Sequence, residues 1–236
     1  MWQRVRVDQQ KGIIYLLLGL AACHGGPPPL LEPPGVTAVE PAAVTAWVST
    51  TAIHGSTLHR FKWSFKNDRS DAGGRGSLRI AAPDSLRLDV AGPLGAGRAS
   101  GVVVEDTAVW VEPEKSLDDL VPSFPLLWAM VGVARPPSPS ARLRGLVEPS
   151  RTYMQYADGA DTVEYLRETG SSSRLLAEVR HAGKVVGRVE TRLDAAGQPS
   201  SSRLSVPSQP AQLDLTYYLH APSHAFPPDT WRRRQP

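Results

Sequence analysis

The sequence predicts an α+β fold that is mostly β, a curved antiparallel sheet of about ten or eleven strands wrapped over a few helices. Three observations carry this. From Phe61 to Leu219, short runs alternate apolar and polar residues with a period of two, as strands with one dry and one wet face do. Turn signals such as His181-Ala182-Gly183 and Ala195-Ala196-Gly197 separate these runs. One segment, Leu117 to Val133, breaks the period. Its second half is almost wholly apolar, so as a helix it must be buried against something broad.

Ahead of the folded part lies a targeting signature. Arg4, Arg6 and Lys11 precede the apolar run Ile13 to Leu20 and the small pair Ala21-Ala22, the three-part layout of a secretory signal peptide over residues 1–22. The run is about half of the ~20 residues that a helix needs to span a bilayer, so a permanent transmembrane helix is not expected. Leu20-Ala21-Ala22-Cys23 resembles the bacterial lipobox, which implies lipidation at Cys23. Each buried methylene adds ~0.8 kcal/mol of membrane affinity, so several acyl chains anchor stably. The alternative is an ordinary cleavage site with a leftover thiol. Residue 24 is His, not the Asp that retains sorted lipoproteins at the inner membrane, so the resemblance implies the periplasmic face of the outer membrane. Residues 23–35, with Pro27-Pro28-Pro29 and Pro33-Pro34, cannot form helix or central strand and are expected to be a stiff tether.

The folded domain is expected over residues 36–220. Val36, Val39, Ala43, Val44, Ala46 and Trp47 fit one amphipathic helix, with Pro41 in its first turn. Phe61, Trp63 and Phe65 then alternate with Arg60, Lys62, Ser64 and Lys66; Leu78 with Ile80 and Leu86 with Leu88 and Val90 repeat the pattern. Gly101–Val104 and Ala108–Val111 form a hairpin around Glu105-Asp106. Further strands are expected at 143–147, 153–156, 162–166, 175–180, 185–193, 203–206 and 212–219. The apolar segment divides into a short helix at Ser116–Leu120, capped by Ser116, and a second at Pro125–Val133. Residues 221–236, ending in Trp231-Arg232-Arg233-Arg234, read as a disordered tail.

Composition narrows the function. With 26 basic and 23 acidic residues the net charge is +3, too mild to suggest nucleic acid. Cleavage after residue 22 would remove three basic residues and one acid, leaving +1. A single cysteine excludes an intramolecular disulfide or a cysteine-rich metal site. Asp118 and Asp119 are adjacent, so on a helix they point apart and form no facing acid/base pair. His54 and His59 stand apart from any acid or cysteine cluster. His220 and His224 could hold a metal only with ligands from elsewhere and read instead as part of an exposed tail. The glycines of Gly92 to Gly101 lack the strand-then-helix context of a dinucleotide site, and no nucleophile elbow or phosphate loop occurs. Neither an enzyme, a cofactor nor a metal site is expected, and the expected state is a monomer.

Ser85-Leu86-Arg87-Leu88, then Gly92-Pro93-Leu94-Gly95, then a strand pair rich in Ala, Gly and Val, then Phe124-Pro125-Leu126-Leu127-Trp128-Ala129-Met130-Val131-Gly132-Val133, resembles the LolB-like outer-membrane lipoproteins of the LolA/LolB superfamily. The order of elements is similar over most of residues 40–219, while the half after Arg151 matches only in pattern. The resemblance implies a half-open β-barrel closed by helices, with a hydrophobic cavity for acyl chains of lipoproteins or another lipid. It also implies a soluble periplasmic carrier as donor, and a membrane-inserting leucine at Leu94. Taken by itself, a leucine between Pro93 and Gly95 either projects outward as a wedge or folds back on the sheet. Phe61, Trp63, Phe65, Leu86, Leu88, Val90, Trp110, Leu127, Trp128 and Met130 are the candidate cavity lining, each with plain core packing as its alternative. A scaffolding lipoprotein whose sheet is filled by its own helices is the competing function.

Overall fold

The computed structural model describes residues 32–95, 97–114, 121–208 and 210–233. The strands of the first part are β1 (Thr37–Ala38), β2 (Ser56–Lys66), β3 (Asp71–Ala81), β4 (Ser85–Ala91), β5 (Arg98–Val104) and β6 (Thr107–Glu112). After them come β7 (Arg142–Val147), β8 (Arg151–Asp158), β9 (Asp161–Glu168), β10 (Arg174–His181), β11 (Lys184–Leu193), β12 (Pro199–Val206) and β13 (Ala211–Ser223). All thirteen pair in one open sheet, in the order β1-β7-β8-β9-β10-β11-β12-β13-β2-β3-β4-β5-β6. The strand count exceeds the expected ten or eleven. Two-residue β1 is too short to show a period, and the glycines of β3 blank out part of its alternation.

The order describes two antiparallel meanders, β2–β6 and β7–β13, joined by the pairing of β13 with β2. Both helices among the described residues follow from this topology. The chain leaves β1 at one edge and must cross the sheet to reach β2; α1 (Pro41–Ser49) lies on that crossing. It leaves β6 at the other edge and must return to β7; α2 (Phe124–Met130) lies there. Register shifts in the β5–β6, β10–β11, β11–β12 and β13–β2 pairings mark irregularities that increase local twist and help the sheet curl.

Pro41 opens α1 and Pro125 sits in the first turn of α2, where a missing N–H costs nothing. α2 stops earlier than the expected Val133 because Gly132 takes φ +82°, left-handed and open to glycine. Its residues Leu126 to Met130 are all buried. Such a helix end would strand its carbonyls away from water. Three strands supply donors: the hydroxyl of Thr191 donates to Ala129 O at 2.7 Å, beside the Gly132 N–H, and those of Ser202 and Tyr217 donate to Met130 O at 2.5 and 2.8 Å. At the other side Trp128 Nε1 donates to Glu105 O at 2.8 Å, so the β5–β6 turn holds the helix from above. Gly187 leaves room for Leu126, since a Cβ there would stand 2.7 Å from its Cδ1.

The outer face is polar and laced with ion pairs such as Arg203 with Asp214 at 2.7 Å and Arg174 with Glu168 at 2.5 Å. Arg180 and Arg188 both close on Glu178, which is fully buried beneath them. The end of the chain corrects the expected disordered tail over its described residues. β13 continues to Ser223, and a 3-10 turn at Pro228–Trp231 lies against the outer face. Arg87 donates to Thr230 O at 2.6 Å and Trp110 Nε1 to Trp231 O at 3.0 Å. Cys23, the signal peptide, most of the tether and the Ser116–Leu120 helix lie outside the described residues.

Candidate functional site

An apolar cavity of about 320 Å³ lies on the inner face, between α2 and the strands β13, β2, β3, β4 and β5. Alternation places its walls. Phe61, Trp63 and Phe65 share one face of β2, and Leu88 and Val90 one face of β4; Leu127 and Met130 close the cavity from α2. Among the described lining residues only Arg98 carries a charge.

The aromatic walls are held flat. Trp63 pairs with Gly74 on β3 and reaches across it to donate from Nε1 to Ala91 O on β4, at 3.2 Å. A Cβ at Gly74 would stand 2.0 Å from that same oxygen. Phe61 pairs with Gly76, where a Cβ would meet its ring at 2.3 Å. Gly76 is therefore the bed on which the Phe61 ring lies, a known device for covering strand glycines, while Gly74 lets the backbone of β4 come close enough for Trp63 to reach it. Rings laid along the sheet do not fill the space above it.

Three candidate lining residues sit elsewhere. Leu86 is fully buried between Ile80 and Val103 on the neighbouring strands, in the filled part of the core. Trp128 is buried too, its indole turned to Glu105 O. Trp110 is on the outer face, with the Arg87 guanidinium 5.3 Å from its ring centroid and the chain end on its indole N–H. Its strand has an irregular register against β5, which strict alternation does not anticipate. Leu213 and Leu215 also line the cavity without having been singled out. Their signal is the pairing of β13 with β2, which sets Leu213 opposite Phe65 and Leu215 opposite Trp63.

The loop after β4 borders the cavity. Pro93–Gly95 form a 3-10 turn, Gly92 N–H donates to Gly97 O at 3.2 Å, and Gly97 and Arg98 line the rim. The side chain of Leu94 lies outside the described residues.

Behind the cavity, on the same seam of β2 and β13, two histidines meet. His59 Nδ1 and His220 Nδ1 share a hydrogen bond at 2.6 Å, and Thr57 Oγ1 lies 3.1 Å from His59 Nε2. His220 is thus a strand residue, which corrects its assignment to an exposed tail. Burial first, and the neighbouring His220 second, push the His59 pKa down to about 4. Burial likewise drives the phenols of Tyr165 and Tyr217 well above their usual range, so both stay neutral: Tyr217 donates to Met130 O, and Tyr165 accepts from the Arg135 N–H at 3.1 Å.

No protein-family model and no curated protein matches the chain. Solved structures do. A LolA superfamily protein from Nitrosomonas europaea is 11% identical with a TM-score of 0.53, the match covering 83% of this chain and 99% of that one. A domain named as an outer-membrane lipoprotein-sorting protein, from Vibrio parahaemolyticus, is 8% identical with a TM-score of 0.53, covering 80% of this chain and 94% of that one. At such identities the likeness concerns the fold: this chain has the LolA-like open sheet with helices on its inner face.

Proposed function

We propose that this protein is an envelope lipoprotein, anchored through Cys23 at the periplasmic face of the outer membrane, that takes acyl chains into the cavity and receives or inserts lipoproteins. The observation that carries this is the apolar cavity under α2, at the lower end of the ~300–1,000 Å³ that ligand sites occupy. Its charge-poor walls suit a hydrocarbon chain, which gains ~0.8 kcal/mol for each methylene removed from water. Transfer then needs no catalysis, because cargo moves downhill from a weaker to a tighter apolar site. A soluble carrier of related fold is the donor. The Pro93–Gly95 turn lies in the loop whose Gly97 and Arg98 line the cavity, which supports Leu94 as the residue that meets the bilayer.

The deciding experiment is native mass spectrometry of the purified domain after expression in a Gram-negative host. A retained lipid or lipoprotein, lost on exchange with detergent, is expected. A ligand-free chain that takes up neither acyl peptide nor lipid would favour the scaffolding function instead. Leu94→Glu is expected to retain cargo and fail to deliver it to vesicles, and Cys23→Ala to lose acyl labelling and membrane attachment.

A further inference from the structure

A second cleft, of about 580 Å³, opens between α1 and the ends of β7, β8 and β9. Its walls are of two kinds. Ala43, Ala46 and Val147 give it an apolar side, and Val147 is 65% exposed there. Trp47 and Arg167 give it donors. Trp47 Nε1 and Arg167 Nε are both buried without a hydrogen-bond partner among the described residues. An orphaned buried donor forfeits its hydration and is uncommon in a native interior. Two of them on residues that line one cleft require an explanation.

Arg167 is held in place but not neutralised. Its Nη1 donates to Thr50 O at 3.1 Å and to Thr50 Oγ1 at 3.3 Å, which ties the guanidinium to the end of α1. No carboxylate pairs with it among the described residues, although Arg151 in the same cleft is paired with Glu148 at 3.2 Å. Both unsatisfied groups are donors, so both call for an acceptor; the cation calls for an anionic one. The alanines of α1 and the exposed Val147 call for hydrocarbon.

From these features we infer that the cleft binds an amphiphilic oxyanion, a carboxylate or phosphate carried on an apolar chain, whose oxygens accept from Arg167 and Trp47. The chain of the ligand lies along Ala43, Ala46 and Val147. This site is separate from the cavity under α2 and stands whether or not that cavity carries lipid.

Calorimetric titration of the purified chain with dodecyl phosphate, dodecanoate, inorganic phosphate and the neutral dodecyl maltoside tests it. One or both anionic amphiphiles should bind about tenfold or more tightly than the neutral one and than phosphate alone, as a charge-assisted hydrogen bond allows. The tighter of the two names the headgroup. Arg167→Met should erase that preference with the far-ultraviolet spectrum unchanged. Should this variant not fold, Arg167→Lys, which keeps the charge and loses the planar fork, should still weaken the preference several-fold. Equal binding of neutral and anionic amphiphiles, or an undiminished preference in the Arg167 variant that folds, would overturn the inference. The same titration in Val90→Phe, which obstructs the cavity under α2, separates the sites: the anion preference should persist there, and its disappearance would move the binding to the cavity and refute the cleft.

Discussion

Over β7–β12 the inner face of the sheet is filled by the protein's own side chains, whereas over β13 and β2–β5 the same face borders open apolar space. In the first region α1 and α2 do the filling. Trp47 packs on Tyr165 at 5.7 Å between centroids, and the last carbonyls of α2 are tied to hydroxyls of Thr191 and Ser202. In the second, the Phe61 ring is laid over Gly76, and Trp63 is pinned across β3 by its bond to Ala91 O. Residue size therefore does not decide whether a face is full. What decides is the direction in which hydrogen bonds and neighbouring glycines hold the large residues. A wall pinned in this way does not relax into the space beside it.

Substitutions in the two regions test this contrast. The largest effect belongs to the filled region: Trp128→Ala should cost about 3–5 kcal/mol in urea unfolding, because it opens a buried hole and strips Glu105 O of its donor. A loss under ~1 kcal/mol would mean that this region is as loosely packed as the other.

Next comes the seam where the two meanders meet. The buried His59 has its pKa lowered from 6.5 to about 4 in the folded chain. The unfolded chain therefore takes up the proton first on acidification, and stability present at neutral pH should be lost as the pH falls from about 6.5 towards 4. The loss should approach about 3 kcal/mol. Thermal melts across that range should show it, and the slope should flatten in His59→Asn; an identical slope in the variant would place the pH sensitivity elsewhere.

The smallest effect is the most telling. Val189→Phe inserts bulk where Val189 is fully buried and should cost about 1–3 kcal/mol, as overpacking does. Val90→Phe inserts a phenyl ring beside open space and should change stability by less than about 1 kcal/mol while lowering lipid retention. Equal penalties at the two sites would erase the distinction between a filled and a hollow half.

Much of the fold was legible because its strands advertise themselves. Phe61, Trp63 and Phe65 against Arg60, Lys62 and Ser64 can satisfy only a sheet with one wet face, and Pro125 with the apolar run after it can satisfy only a buried helix. Seven of the ten expected lining residues border the cavity on that logic alone: Phe61, Trp63, Phe65, Leu88, Val90, Leu127 and Met130. The exceptions are informative. Leu86 has the same parity as Leu88 and Val90 but lies further along the strand, where the core is filled, and depth along a strand has no sequence signature. Trp110 faces outward across an irregular register, and what covers it is the backbone of Thr230 and Trp231, drawn from a segment whose composition suggested disorder. Backbone carbonyls dock without leaving a mark in composition.

Local alternation and turn chemistry thus determined the class of the protein, its strands and the face each strand buries, since these depend on neighbours only a few residues away. Tertiary structure decided that β13 closes on β2, that Leu213 and Leu215 join the cavity wall, and that His59 meets His220. It also decided that Trp47 of α1 and Arg167 of β9, each with a buried donor that has no partner among the described residues, line one cleft. Each of these depends on residues distant in the chain being brought together, and no period within a strand records which strand will be its neighbour.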